Sequence, residues 1–155
     1  MLNNFTVLIS IYKNNTIVDI VNLVKSIKSQ NLYPAQIIFI YDGVIKKEIN
    51  TIIKTLKNLK IITNHKNIGL GQSLNKGIKA SKYDAIIRCD ADDVNVSSRF
   101  RELFKAYLNN KNLDVVGSFQ EEIFNGKSLH KNLPLDHNKI IKTLVYRNSI
   151  NHPTV

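Results

Sequence analysis

Apolar and polar positions along this chain follow two periods, and the period switches at regular intervals. Thr6-Val7-Leu8-Ile9-Ser10-Ile11 is a short, mostly apolar, β-branched run. It predicts a strand buried on both faces. From Thr16 to Ser29 the apolar residues Ile17, Ile20, Val21, Val24 and Ile27 recur at helical spacing. Thr16 is placed to cap that helix, and Asp19 lies where the helix dipole favours an acid. Tyr33-Pro34 interrupts the pattern, and Gln36-Ile37-Ile38-Phe39-Ile40-Tyr41 predicts a second strand ending at Asp42-Gly43.

The unit then repeats. Ile45, Ile49, Ile52, Ile53, Leu56 and Leu59 predict a second helix, and Lys60 to Thr63 a short third strand. Asn67-Ile68-Gly69-Leu70-Gly71 reads as a loop, followed by a helix from Leu70 to Ala80 carrying Leu74 and Ile78. Ala85 to Cys89 is a fourth strand that runs into Asp90-Ala91-Asp92-Asp93. Phe100, Leu103, Phe104, Tyr107 and Leu108 form a helical stripe, with Ser97 or Ser98 as its cap. Beyond Asn112 the pattern changes. Val115 to Phe119 predicts a strand, and Glu121–Phe124 with Lys127–His130 a hairpin about Asn125-Gly126, a pair suited to a type I′ turn. Ile140, Ile141, Leu144 and Val145 predict a helix, and His152-Pro153-Thr154-Val155 the start of a strand.

Strands alternating with helices predict an α/β fold with a mainly parallel sheet flanked by helices, in a single domain over residues 1–155. Right-handed crossovers bring the loops after the strands to one sheet edge. Open α/β sheets bind ligands at that edge. Ser10 to Lys13, Asp42-Gly43 and Asp90 to Asp93 therefore converge on one crevice.

Composition narrows the class. With 155 residues, 43% of them hydrophobic, the chain can bury a core. No apolar run approaches the ~18 residues of a membrane span. The start, Met1-Leu2-Asn3-Asn4, carries no leader pattern. The single cysteine, Cys89, excludes an intrachain disulfide and fits a reducing compartment. A cytoplasmic protein, soluble or at the inner membrane surface, is the expectation. The net charge of +10 invites a nucleic-acid reading. However, only four of the 22 basic residues are arginines, and no block of five like charges occurs. No nucleic-acid partner is expected, and weak attraction to an anionic membrane surface suits the charge better.

Three segments carry candidate chemistry. Asp90, Asp92 and Asp93 repel one another, so stability alone does not favour them. Residues 90 and 92 share a side if the strand geometry persists. Two carboxylates at a strand end form a hard-oxygen site for Mg²⁺ or Mn²⁺; a solvated turn is the plainer reading. Asp42-Gly43 is either a turn or a carboxylate able to accept an imide N–H, as on uracil, beside a glycine that permits close backbone approach. Asn67 to Gly71 is either a connecting loop or a phosphate cradle at a helix N-terminus. It fits neither the dinucleotide fingerprint nor the P-loop. The histidines His65, His130, His137 and His152 show no ligand spacing, so zinc is not expected. Arg99 is placed to pair with the aspartates or to meet a ligand.

In combination these segments resemble the family 2 glycosyltransferases of GT-A fold. Val7 to Lys13 is similar to the opening strand of that family. Gln30 to Gly43 is similar to its Gln-x-x-x-Pro…Asp-Gly segment. Asn67-Ile68-Gly69-Leu70 with Asn75-Lys76-Gly77-Ile78 resembles Asn-x-Gly-Leu…Asn-x-Gly-Ile, and Asp90 to Asp93 with Arg99-Phe100 resembles Asp-x-Asp-Asp…Arg-Phe. Asp114 to Ser118 and Asn151 to Val155 resemble the branch that builds bacterial capsule, exopolysaccharide and O-antigen chains.

The resemblance covers the whole chain and implies a nucleotide-diphospho-sugar fold, a Rossmann-like three-layer sandwich. It implies metal-dependent, inverting hexosyl transfer from a UDP-sugar to a saccharide or lipid-linked saccharide acceptor. Ser10 and Tyr12 would then line the base pocket, Asp42 bind the uracil, and Asn67, Gly69 and Ala91 border the nucleotide. Asp92 would ligate Mn²⁺ or Mg²⁺ directly, with Asp90 nearer the ribose or a metal-bound water. The catalytic base is expected beyond Val155, in an acceptor half that follows a His-Pro segment, so this stretch itself would hold no catalytic residue. Lys13, Tyr41 and Val44 depart from the family's usual Asn, acidic and Ser residues, which bears on nucleotide recognition. The alternatives are a sugar-phosphate nucleotidyltransferase, for which Tyr12 to Asn15 lacks the Gly-rich basic signature, and a non-catalytic nucleotide-sugar-binding module.

Overall fold

A computed structural model of the chain describes residues 3–110, 112–131 and 133–155; Met1 and Leu2, which entered the reading of the start, lie outside them. Four parallel strands form the main sheet: β1 (Phe5–Ile11), β2 (Gln36–Asp42), β3 (Leu59–Asn64) and β4 (Ala85–Cys89), in the order β3-β2-β1-β4. β1 is central, with Ile9 facing Phe39 on one side and Cys89 on the other. Its apolar run lacks strict alternation because both faces are covered.

The helices lie on both faces. Against one face pack α1 (Ile17–Lys28), α2 (Lys47–Ile53) and α4 (Arg99–Asn109), whose Leu23, Ile49 and Phe100 join Ile9, Ile37 and Phe39 in the larger core cluster. Against the other packs α3 (Leu70–Ala80), where Leu74 meets Leu8, Ile38 and Ile40. Gly77 allows α3 to lie this close, because a Cβ there would sit 2.2 Å from Leu8 Cδ1. The α/β expectation and the three layers are thus observed.

Local signals explain most boundaries. Thr16 and Asp19 form a reciprocal capping box at α1, with Asp19 N–H donating to Thr16 Oγ1 at 3.2 Å and Thr16 N–H to Asp19 Oδ2 at 3.0 Å. The hairpin of β5 (Gln120–Phe124) and β6 (Lys127–Lys131) turns at Asn125 and Gly126, with φ of 50° and 72°. Positive φ at both central residues is the type I′ signature. Asp136 caps α5 (His137–Leu144) by accepting the Lys139 N–H at 3.1 Å.

Three expectations are corrected. The second helix stops at Ile53, not Leu59. Asn58 adopts φ 56°, a left-handed turn that asparagine tolerates, and Leu59 enters the core as the first residue of β3. Ser98 takes the N-cap position of α4 as expected but makes no side-chain cap bond; Gln30 Oε1 accepts the Phe100 N–H instead. Val115 to Phe119 forms no strand. It packs on the C-terminal residues, with Ser118 N–H donating to Thr154 Oγ1 at 3.3 Å. Nor do residues 152–155 begin a strand. His152–Thr154 is a 3-10 turn with Pro153 in its first positions, and only Val155 reaches the sheet edge, its carbonyl accepting the Arg88 N–H at 2.6 Å.

Candidate functional site

The chain runs outward from β1 through β2 to β3, then returns over the opposite face through α3 to β4 on the far side of β1. The order of strands therefore reverses between β1 and β4. Loops leaving a parallel sheet at such a point part company and open a crevice beyond the carboxyl ends. A cleft of about 400 Å³ lies there. All eight predicted site residues line it. Ser10 and Tyr12 come from the end of β1, Asp42 from the end of β2, Asn67 and Gly69 from the loop before α3, and Asp90, Ala91 and Asp92 from the segment after β4.

Asn15 and Leu70 complete the wall and were not among the expected residues. Asn15 carried a signal in its spacing: its Oδ1 accepts the Tyr12 N–H at 2.8 Å and shapes the turn that presents Tyr12. A smaller cavity of about 210 Å³ lies between β4, α4 and residues 113–116, lined by Ile87, Leu103, Phe104 and others, and holds no predicted site residue.

Asp42 is only 4% exposed, and its carboxylate points into the protein's own loop. Its Oδ1 accepts the Ile68 N–H at 2.9 Å and Asn64 Nδ2 at 3.0 Å, and its Oδ2 accepts the Gly69 N–H at 3.0 Å. Burial pushes its pKa up, but the hydrogen bonds from Ile68, Asn64, Ser73 and Gly69 outweigh burial and hold it below the usual carboxylate range. The amides of residues 68 and 69 thus face a resident carboxylate, Asp42, rather than the cleft. The close approach expected at Gly43 is also internal, since a Cβ there would lie 3.3 Å from the Asn67 nitrogen.

The acidic segment is held by buried polar side chains. Gln30 Nε2 donates to the carbonyls of Val96 at 2.8 Å and Asn95 at 3.4 Å, pinning the loop to α1. Arg99 does not pair with the aspartates as one reading anticipated. Its guanidinium donates to Asn95 Oδ1, to the Arg88 carbonyl at 2.9 Å and to the Pro153 carbonyl at 3.0 Å. It ties α4, β4 and the C-terminal turn together. Arg88 forms the ion pair with Asp90 instead. The sequence reading placed Arg88 inside the fourth strand and gave it no role. Burial and the Arg88 charge hold His152 below its usual range, with Asp90 pulling the other way.

The donor set can be tested against a divalent cation. Among the described residues no group of three or more His, Cys, Asp or Glu side chains gathers to form a closed cage. Asp90 and Asp92 nonetheless share the cleft wall, and Asp92 is exposed. Burial, with the charges of Asp90 and Asp92, pushes the Asp93 carboxyl above its usual pKa despite Arg99 and Arg88. Oxygen donors only, one or two carboxylates and surplus negative charge fit Mg²⁺ or Mn²⁺ that takes its other ligands from water and phosphate. They do not fit an all-protein metal site.

The fold matches that of *Staphylococcus aureus* TarS in complex with UDP-GlcNAc, with a TM-score of 0.66 and 17% identity over 85% of this chain and 38% of that one. It also matches a mannosyltransferase from *Pyrobaculum calidifontis* in complex with GDP-Man and Mn²⁺, with a TM-score of 0.57 and 16% identity over 74% and 34% of the two chains. The architecture is the GT-A type of these enzymes. The sequence profile of glycosyl transferase family 2 matches residues 6–154, and the chain belongs to that family.

Among its relatives is the *Escherichia coli* UDP-Gal:alpha-D-GlcNAc-diphosphoundecaprenol beta-1,3-galactosyltransferase, 33% identical over 97% of this chain. Another is the amylovoran biosynthesis glycosyltransferase AmsE of *Erwinia amylovora*, 28% identical over the same share. The chain spans 57% and 58% of the length of these two proteins.

Proposed function

We propose that the cleft binds a UDP-sugar together with Mn²⁺ or Mg²⁺, and that the protein transfers the sugar, with inversion, during bacterial surface polysaccharide synthesis. The observation that carries this reading is the meeting of Asp90 and Asp92 with Ser10, Tyr12 and Asn67 in one cleft at the strand-order reversal. Tyr12, 41% exposed on the wall, offers a ring for base stacking. Asp42 serves this site from behind, by fixing the loop that carries Asn67 and Gly69. Asp92 would hold the cation, with Asp90 beside it. The bound cation would neutralise charge on the departing diphosphate. In an inverting transfer a carboxylate base takes the proton from the acceptor hydroxyl, whose oxygen bonds to the anomeric carbon as the bond to diphosphate breaks.

A saccharide or lipid-linked saccharide is the proposed acceptor, supported by the undecaprenol-linked substrate in the name of the *E. coli* relative. A cytoplasmic position at the inner membrane face follows from that acceptor and agrees with the net charge of +10. Among the described residues no helix is long and apolar enough to cross a membrane.

Calorimetry with UDP and GDP, each with and without Mn²⁺, tests the reading. UDP should bind in a metal-dependent way, and Asp92→Ala should abolish that binding. A folded wild-type chain that binds no nucleotide under any metal condition overturns it.

A further inference from the structure

The guanidinium of Arg88 is an anomaly in an otherwise apolar strand. Arg88 is 5% exposed and lies opposite Leu8 in the sheet register. One nitrogen, Nη2, pairs with Asp90 Oδ1. The other two, Nε and Nη1, are buried with no hydrogen-bond partner. Buried polar groups are nearly always satisfied, and an unsatisfied charged group opposes folding more than a neutral one. An apolar side chain of similar length would fill this position at less cost to stability. What the arginine adds is its contact with Asp90, whose side chain is 34% exposed on the cleft wall.

The neighbouring aspartates differ in this respect. Asp92 is exposed, and Arg88 does not reach it in any hydrogen bond or ion pair among the described residues. Two adjacent carboxylates with the same freedom would compete for one cation and repel each other. An arginine that neutralises and orients only one of them gives the pair distinct duties.

We propose that Arg88 is a positioning residue for the donor site. It holds the Asp90 carboxylate in one orientation and offsets its charge, so that Asp90 presents a fixed acceptor to the donor while Asp92 remains the free anionic ligand. The inference rests on the donor-binding reading of the cleft and adds to it a residue that never touches the ligand.

The test measures two quantities on the same protein, UDP affinity in Mn²⁺ by calorimetry and the thermal midpoint by circular dichroism. Arg88→Met should weaken UDP binding at least tenfold while the midpoint stays at or above that of the wild type. Arg88→Lys, which keeps a charge near Asp90 but loses the fork of donors, should fall between them. The double variant Arg88→Met, Asp90→Asn should bind no more weakly than the weaker single variant, because the two residues act as one unit.

A folded Arg88→Met that binds UDP within twofold of the wild type overturns the proposal and leaves the donor-site reading standing. Strictly additive losses in the double variant also overturn it. A wild type that binds no nucleotide overturns both. If Arg88→Met does not fold, Arg88→Lys decides: unchanged affinity in that folded variant overturns the proposal.

Discussion

The buried carboxylate of Asp42 accepts the backbone N–H of Gly69 at 3.0 Å, joining the end of β2 to the start of α3 across 27 residues. It also accepts the Ile68 N–H and the Asn64 amide. Asp42→Ala would leave the Ile68 N–H without an acceptor and remove one of two acceptors from the Gly69 N–H and the Asn64 amide, and should destabilise the fold by on the order of 2 kcal/mol. The pKa of Asp42 is depressed in the folded state. Its contribution is therefore present above the unfolded carboxylate pKa of about 4 and is lost as pH falls through the lower folded value. Urea unfolding between pH 6 and pH 2 should show an acid-dependent loss in the wild type that is smaller in Asp42→Ala.

Asp90 and Asp92, two residues apart, should behave as opposites in stability. Asp92→Ala removes an exposed side chain and should change unfolding free energy by less than about 0.5 kcal/mol. Asp90→Ala strips the buried Arg88 of its only ion-pair partner among the described residues and should cost about 2 kcal/mol or more. Denaturant titration of the two variants side by side measures the difference.

Gly77 predicts a compensable clash. Gly77→Ala drives a methyl group to 2.2 Å from Leu8 Cδ1, and forced repacking of that kind costs about 1–3 kcal/mol. Adding Leu8→Val, which shortens the opposing side chain, should recover part of the loss in thermal melts. A double variant as unstable as the sum of the singles would place the constraint on the backbone instead.

Tyr41 predicts an alkaline limit. Burial pushes its phenol up to about 12, while in the unfolded chain it titrates near 10. Above about pH 10 the unfolded chain releases a proton that the folded chain keeps, so stability falls until about pH 12. Tyr41→Phe removes this linkage and should raise the alkaline unfolding midpoint, followed by circular dichroism.

Gln30 makes hydrogen bonds that no periodic pattern announces: its Nε2 shares its two hydrogens among the carbonyls of Ser26, Val96 and Asn95, and its Oε1 accepts the Phe100 N–H. Gln30→Ala should cost about 2 kcal/mol. It should also speed amide exchange at Phe100 more than at Ile9, because it frees the start of α4 while β1 stays paired.

The fold was legible because hydrophobic periods report burial directly: Val7 to Ile11 and Ile37 to Tyr41 are sheet interior, and Leu74 or Phe100 is a helix face turned inward. The convergence of Ser10, Asp42 and Asp92 on one cleft was legible through topology, since parallel strands deliver their ends to one edge; Asn67 was assigned to it only through the family resemblance. What escaped was the work of long-range polar side chains. Gln30 meets Phe100 only after α1 and β4 have packed, and Asp42 finds the Gly69 amide only after β3 is in place. Neither partner lies within a window that periodicity samples. Residues 115–119 failed for a related reason: their composition suits a strand, but strand formation needs a free edge, and Val155 occupies part of the one beside Arg88.

The central position of β1 has a consequence for how the protein is made. β1, β2 and β3 follow one another in the chain and are neighbours in the sheet, so they can associate as they leave the ribosome. β4 must return to β1 across about 80 residues of chain, a slow closure for a growing polypeptide. The acidic wall of the cleft travels with β4. The half of the cleft that carries Tyr12 and Asn67 can therefore form before the half that carries Asp92, with the wall of Tyr12 and Asn67 in place while the acidic wall is still absent.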